Sequence, residues 1–132
     1  MARTYKKVRY SPKSKAKAYT PITAAQDVEK AFKVIEGRWK LLILFYLFGG
    51  KILRFSQLER AIPAISQKML IQQLRRMEND GIVRRIVHHQ VPPKVEYALT
   101  DWGQALCPAL DALLKWAELR EQMAEAADAA NA

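Results

Sequence analysis

The stretch SQKMLIQQLRRMEN, residues 66–79, constrains the fold more than any other part of the chain. Leu70, Leu74 and Met77 recur at i, i+4 and i+7, so in a helix they share one inward face. Advancing about 100° per residue puts Lys68, Ile71, Gln72, Arg75 and Asn79 on the opposite side. That outer face carries cations and amides and no carboxylate; Glu78 and Asp80 come only where the helix ends. Ser66 offers an oxygen to the free N–H groups of the first turn. Gly81 offers the left-handed position that closes a helix. An ordinary solvated face has the same composition, so the neighbouring segments decide what the helix is for.

Before it, Ser56 opens the run SQLERAI, with Glu59 three residues later in the spacing of a capping box. Leu58 and Ile62 face inward in such a helix, and Pro63, Ala64 and Ile65 turn the chain into the stretch above. A helix, a short turn and a second capped helix form a helix-turn-helix unit whose second helix is the reader. Ile52–Phe55 reads as a short strand ahead of it. After it, Ile82–His88 and Val95–Thr100 are rich in β-branched and aromatic residues and predict a hairpin. Its tip, HHQVPPK, holds two prolines that cannot continue a ladder. Arg84, Arg85, His88, His89 and Lys94 make the hairpin basic. A basic hairpin directly after a reading helix is a wing, suited to a phosphate backbone or a minor groove.

Upstream, Thr23–Glu36 predicts a first helix with Val28, Phe32 and Ile35 on one face. Trp39–Phe48 predicts a second, apolar nearly all round, which must be covered on most sides; a partner subunit would supply cover. Downstream, Thr100 or Asp101 caps a last long helix with Leu106, Leu110, Leu113, Leu114 and Ala117 in a stripe. Pro108 predicts a kink or restart there. Residues 121–132, acidic and alanine-rich, are expected to fray. Trp39, Phe45, Phe55, Tyr97, Trp102 and Trp116 are assigned to the core or to a subunit interface. An effector pocket between subunits, lined by Trp39 and Trp116, is the alternative for that pair.

The net charge of +9 in 132 residues is unevenly placed. Residues 1–20 hold seven Lys or Arg and no acid, with Tyr5, Tyr10 and Tyr19 between them. The remaining 15 basic residues nearly balance the 13 acidic ones. The excess belongs to a tail expected to be disordered, and such a tail suits solvent or an anionic polymer equally well. The single cysteine, Cys107, excludes an internal disulfide framework and fits a reducing compartment. Adjacent His88 and His89 alternate across a strand and do not converge on one ion, so no metal and no cofactor is expected. The apolar run LLILFYLF, residues 41–48, is too short for a membrane span. No Ser/His/Asp set, phosphate-cradling glycine loop or paired carboxylates suggest an enzyme.

Several stretches together resemble the HxlR family of bacterial winged helix-turn-helix transcription regulators, relatives of the MarR type. They are GRWKLLILFYL (37–47), LRFSQLERAIPAISQKMLIQQLRRMENDGIVRR (53–85) and PPKVEYALTDWGQAL (92–106), with the Leu113–Trp116 pair beyond. The resemblance covers roughly residues 26–118. It implies a mainly α fold with a small β-hairpin wing (α+β), over residues 21–120, dimerised through its N- and C-terminal helices. It also implies a cytoplasmic, nucleoid-associated homodimer that binds double-stranded DNA at a near-palindromic operator and responds to a signal. Many family members carry Cys-Pro just before the first helix, and redox-sensing members use that cysteine. Gln26-Asp27 stands there in this chain, so that thiol switch is absent.

The candidate DNA contacts follow from position. Ser66, Gln67 and Lys68 open the reading helix. Gln72 and Arg75 suit adenine and guanine edges respectively. Arg76 is set for a phosphate, as are Arg54, Ser56 and Gln57 at the preceding helix and His88, His89 and Lys94 on the wing. Two other functions fit the same residues: an architectural protein that binds any duplex, and a winged-helix module that binds protein through the outer helix face.

Overall fold

The computed structural model describes residues 17–131, and the chain divides after Glu36 into two units. The described part of the first is built on helix α1 (Pro21–Ile35). Thr20 begins it: its Oγ1 accepts the Thr23 N–H at 3.2 Å, and Thr23 Oγ1 accepts the Thr20 N–H at 2.9 Å. Pro21 at the first position has no N–H to leave unpaired. The helix therefore starts two residues before the expected Thr23. Lys17 Nζ lies 3.0 Å from Asp27, so residues 17–20, expected to be loose tail, are fastened to α1. The rest of the basic tail, residues 1–16, lies outside the described residues.

The second unit opens at Gly37, whose φ of +107° a side chain would resist. Helix α2 (Arg38–Leu47) follows. Ile43, Leu44 and Leu47 are fully buried, whereas Leu41, Leu42 and Phe45 remain exposed. Among the described residues the apolar helix is thus covered on one side and open on the other. Strand β1 (Leu53–Arg54) runs straight into helix α3 (Phe55–Ala61). The capping box expected at Ser56 and Glu59 is displaced: Arg54 is the cap, and Gln57 Oε1 accepts its N–H at 2.8 Å. Strand pairing explains the shift. Arg54 is held extended opposite Glu96 and the chain enters the helix directly after it, at Phe55, two residues before a Ser56 cap would start it. Tyr46 donates its hydroxyl to the Ala61 carbonyl at 3.0 Å and ties α2 to α3.

Helix α4 (Gln67–Asn79) follows the sequence pattern closely. Ser66 Oγ accepts the Met69 N–H at 3.1 Å, and Leu70, Leu74 and Met77 are buried. At its end Gly81 takes a φ of +78°. The Ile82 N–H then reaches the Met77 carbonyl and the Gly81 N–H the Glu78 carbonyl, both at 3.0 Å.

Strands β2 (Val83–His88) and β3 (Lys94–Leu99) pair antiparallel from Val83↔Leu99 to His88↔Lys94. β1 joins the other edge of β3, giving the order β1-β3-β2. Thr100 closes the wing and caps helix α5 (Asp101–Ala105), its Oγ1 accepting the Gly103 N–H at 3.0 Å. The chain breaks at Leu106 and restarts as helix α6 (Cys107–Asn131), with Pro108 in the first turn. α6 continues through the expected frayed region to Asn131, as alanine and glutamate favour helix even without packing.

The core joins α2, α3, α4 and the start of β2 through Leu44, Leu47, Leu58, Leu74 and Val83. The six assigned aromatics are not in it. Trp102 and Trp116 are 59% and 72% exposed and Phe45 is 46% exposed; Trp39, Phe55 and Tyr97 are half-buried. Among the described residues no helix is long and apolar enough to cross a membrane.

Candidate nucleic-acid interface

Because Leu70, Leu74 and Met77 hold the inner side of α4 in the core, its other side is committed to the surface. Gln67, Lys68, Gln72, Arg75, Arg76 and Asn79 are all exposed. With Ile71 they line one shallow depression, which no carboxylate enters. Arg76, read from sequence as peripheral, belongs to this same patch. Ser66 sits at the N-terminal end of the patch with its hydroxyl committed to the cap.

A cleft of about 390 Å³ separates α4 from the sheet. Phe55, Ile71, Val95 and Tyr97 are its apolar lining, and Arg75, Glu78 and Arg85 supply charge. Arg85 was not among the candidates singled out from sequence. The signal for it lies in the ladder: it pairs with Tyr97, so strand alternation puts it on the face toward α4 and Arg84 on the other.

Two of the wing candidates, His88 and Lys94, share that other face with Arg54 of β1. Arg54 pairs with Glu96, and His88 with Lys94. Glu96 Oε1 lies 2.5 Å from His88 Nε2, and Glu96 Oε2 lies 3.8 Å from Lys94 Nζ. The His88 hydrogen bond, helped by the Lys94 and Arg54 charges, holds the Glu96 carboxyl below the usual carboxylate range. The sequence reading places His88 and Lys94 on the wing and Arg54 at the preceding helix as separate candidates, and misses the carboxylate that neighbours all three. Beside them, Arg54, Ser56, Gln90, Pro92 and Lys94 line a groove of about 330 Å³ between the start of α3 and the wing tip. Gln57, expected to face a phosphate, spends its side-chain oxygen on the Arg54 cap, which leaves its NH₂ as the outward donor. His89 lies beyond the end of β2 and is exposed, apart from the His88–Glu96 pair.

A helix-turn-helix whose second helix presents an acid-free polar face, followed directly by a basic wing, defines a winged helix-turn-helix DNA-binding transcription regulator. Residues 34–125 match the HxlR-like helix-turn-helix family, and the chain belongs to it. It is 53% identical to the uncharacterized HTH-type transcriptional regulator YtcD of Bacillus subtilis strain 168 over 90 residues, 68% of this chain and 71% of YtcD. Among solved structures, the redox regulator HypR in its reduced form superposes with a TM-score of 0.67 at 43% identity. That match covers 76% of this chain and 98% of HypR. A MarR-family regulator of Enterococcus faecalis V583 superposes at 0.71 with 40% identity, covering 75% and 89%.

HypR is named for redox regulation. In this chain Gln26 and Asp27, the pair expected at the place of a family cysteine, lie inside α1, and Asp27 is ion-paired with Lys17. Cys107 is the half-buried first residue of α6.

Proposed function

We propose that this regulator acts as a homodimer on a near-palindromic operator, with α4 of each subunit reading bases in successive major grooves. The carboxylate-free outer face of α4 carries the reading. Gln72 and Arg75 stand mid-face, where an amide and a guanidinium can pair bidentately with adenine and guanine edges. Lys68, Arg76 and Arg85 take flanking phosphates, and the wing takes the backbone beyond them. The dimer reading is supported by apolar surface this chain leaves open: Val28 and Phe32 on α1, and Leu113, Leu114, Trp116 and Leu119 on α6. The tail of residues 1–20 adds affinity through counterion release without adding specificity.

The test is selection of bound duplexes from a random pool at near-physiological salt. An inverted repeat with half-sites about one helical turn apart is the expected product. Unenriched DNA would replace sequence reading with architectural binding, and failure to retain any DNA would move the α4 face to a protein partner.

A further inference from the structure

One acid at the wing has a basic neighbour on each of three strands: it is hydrogen-bonded to His88, lies near Lys94 and is the cross-strand partner of Arg54. Arg54 comes from β1, His88 from β2 and Lys94 from β3, and Glu96 lies among them in the middle strand. Its side chain is only 17% exposed. Such an arrangement solves a physical problem. Two cations converging on one groove repel each other, and long side chains lose entropy when held in one place. A carboxylate among them offsets the repulsion and limits their motion.

The distances also divide the labour. His88 gives its Nε2 to Glu96 at 2.5 Å, so that nitrogen holds the acid rather than reaching outward. Lys94 Nζ at 3.8 Å is drawn by charge but is beyond hydrogen-bond range, so its N–H donors still serve a ligand. Arg54 and Lys94 line the same groove, beside the Ser56 hydroxyl and the Gln90 amide. These donors match phosphodiester oxygens, contacts that fix register and carry no sequence information.

Resting on the DNA-binding reading above, we propose that Glu96 is a positioning residue. It sets Arg54 and Lys94 as a preformed clamp for the sugar–phosphate backbone of one strand flanking the half-site, and so fixes the register in which α4 meets the bases. Removing the acid frees the cations to bind phosphates anywhere, so affinity for random DNA rises while discrimination falls.

The experiment compares full-length protein and Glu96→Gln on the selected operator and on a scrambled duplex of equal length, across a range of salt. Glu96→Gln should bind the scrambled duplex more tightly, with a salt slope steeper by up to about one unit. Its preference for the operator should fall roughly three- to tenfold, as expected for residues sharing a charge network. A parallel rise on both duplexes, with the preference unchanged, would show that Glu96 only dilutes charge and would overturn the proposal. Glu96→Asp covers the case in which the amide variant does not fold. It keeps the charge but withdraws the carboxylate from His88 by about 1.5 Å, one bond length. It should lose operator preference at unchanged salt slope; full preference would overturn the proposal. Arg75→Ala is measured alongside. If it loses the operator preference while both Glu96 variants keep it, this proposal fails and the reading helix stands. If the unaltered protein has no preference, the underlying reading fails instead.

Discussion

The backbone of Gly103 lies so close to Ile82 that a β-carbon on Gly103 would stand 2.3 Å from the Ile82 carbonyl oxygen. That carbonyl also accepts the Thr100 N–H at 2.9 Å. The Thr100 hydroxyl in turn faces the Gly81 carbonyl at 2.6 Å. The exit of α4, the end of the wing and the start of α5 are thereby bound at one point. The angle between helix and wing depends on this junction, because both leave from it.

Gly103→Ala should therefore destabilise the protein by about 1–3 kcal/mol, despite alanine's better helix propensity, since the obstructing atom is backbone. Thermal or denaturant unfolding measures it. A neutral or stabilising effect would show that α5 shifts away from Ile82 at little cost.

Arg75→Ala should cost about 1–3 kcal/mol on the operator and little on random DNA. Binding of both duplexes by the same preparation checks it. Equal losses on the two would make Arg75 a phosphate contact and leave base reading to Gln72.

The wing should carry an acid-sensitive share of stability. Glu96 has a folded-state pKa below its unfolded value, held there first by the hydrogen bond from His88. As pH falls, the unfolded chain takes up this proton before the folded one does. The contribution is thus present at neutral pH and is lost through the acid range, as pH drops past the unfolded and then the folded value. Between about pH 6 and pH 3 the melting temperature of the unaltered protein should fall more steeply than that of Glu96→Gln. Identical slopes would mean that the His88–Glu96 bond adds nothing net.

Leu114→Glu should convert the proposed dimer to monomers by placing a charge within the open apolar stripe of α6, where Leu114 is 48% exposed. Sedimentation velocity reads the mass directly. Operator affinity should drop with it, because each half-site would then be bound singly. A variant that stays dimeric would move the interface away from this part of α6.

Deleting residues 1–20 should flatten the plot of log affinity against log salt and leave the preferred sequence unchanged, since the tail supplies charge only. The deletion also removes the Thr20 cap and the Lys17–Asp27 pair. A parallel deletion ending at residue 16 separates the charge effect from the loss of those α1 contacts.

Local rules made much of this architecture legible. Ser66, the Leu70–Leu74–Met77 spacing and Gly81 specify α4 within one stretch of chain, because capping, amphipathicity and termination act over a few residues. The restart at Pro108 was legible for the same reason. The start of α3 was not. Ser56 and Glu59 match a capping box, but pairing of Arg54 with Glu96, across more than 40 residues of sequence, holds Arg54 extended as the cap, with Gln57 Oε1 accepting its N–H. The aromatic residues show the same limit. Helical spacing puts Phe45, Trp102 and Trp116 on apolar stripes, yet only the folded chain shows that its own core leaves them open.

By itself, then, the sequence determined the elements, their order and the polar face of α4, since each follows from short-range periodicity and caps. Tertiary structure alone decided which charges act together. Arg85 comes to line the cleft beside Arg75 of α4, and Glu96 neighbours Arg54, His88 and Lys94, because strand register brings distant residues side by side. That register depends on which face of each strand is buried, a property of the whole packed domain and not of any one segment.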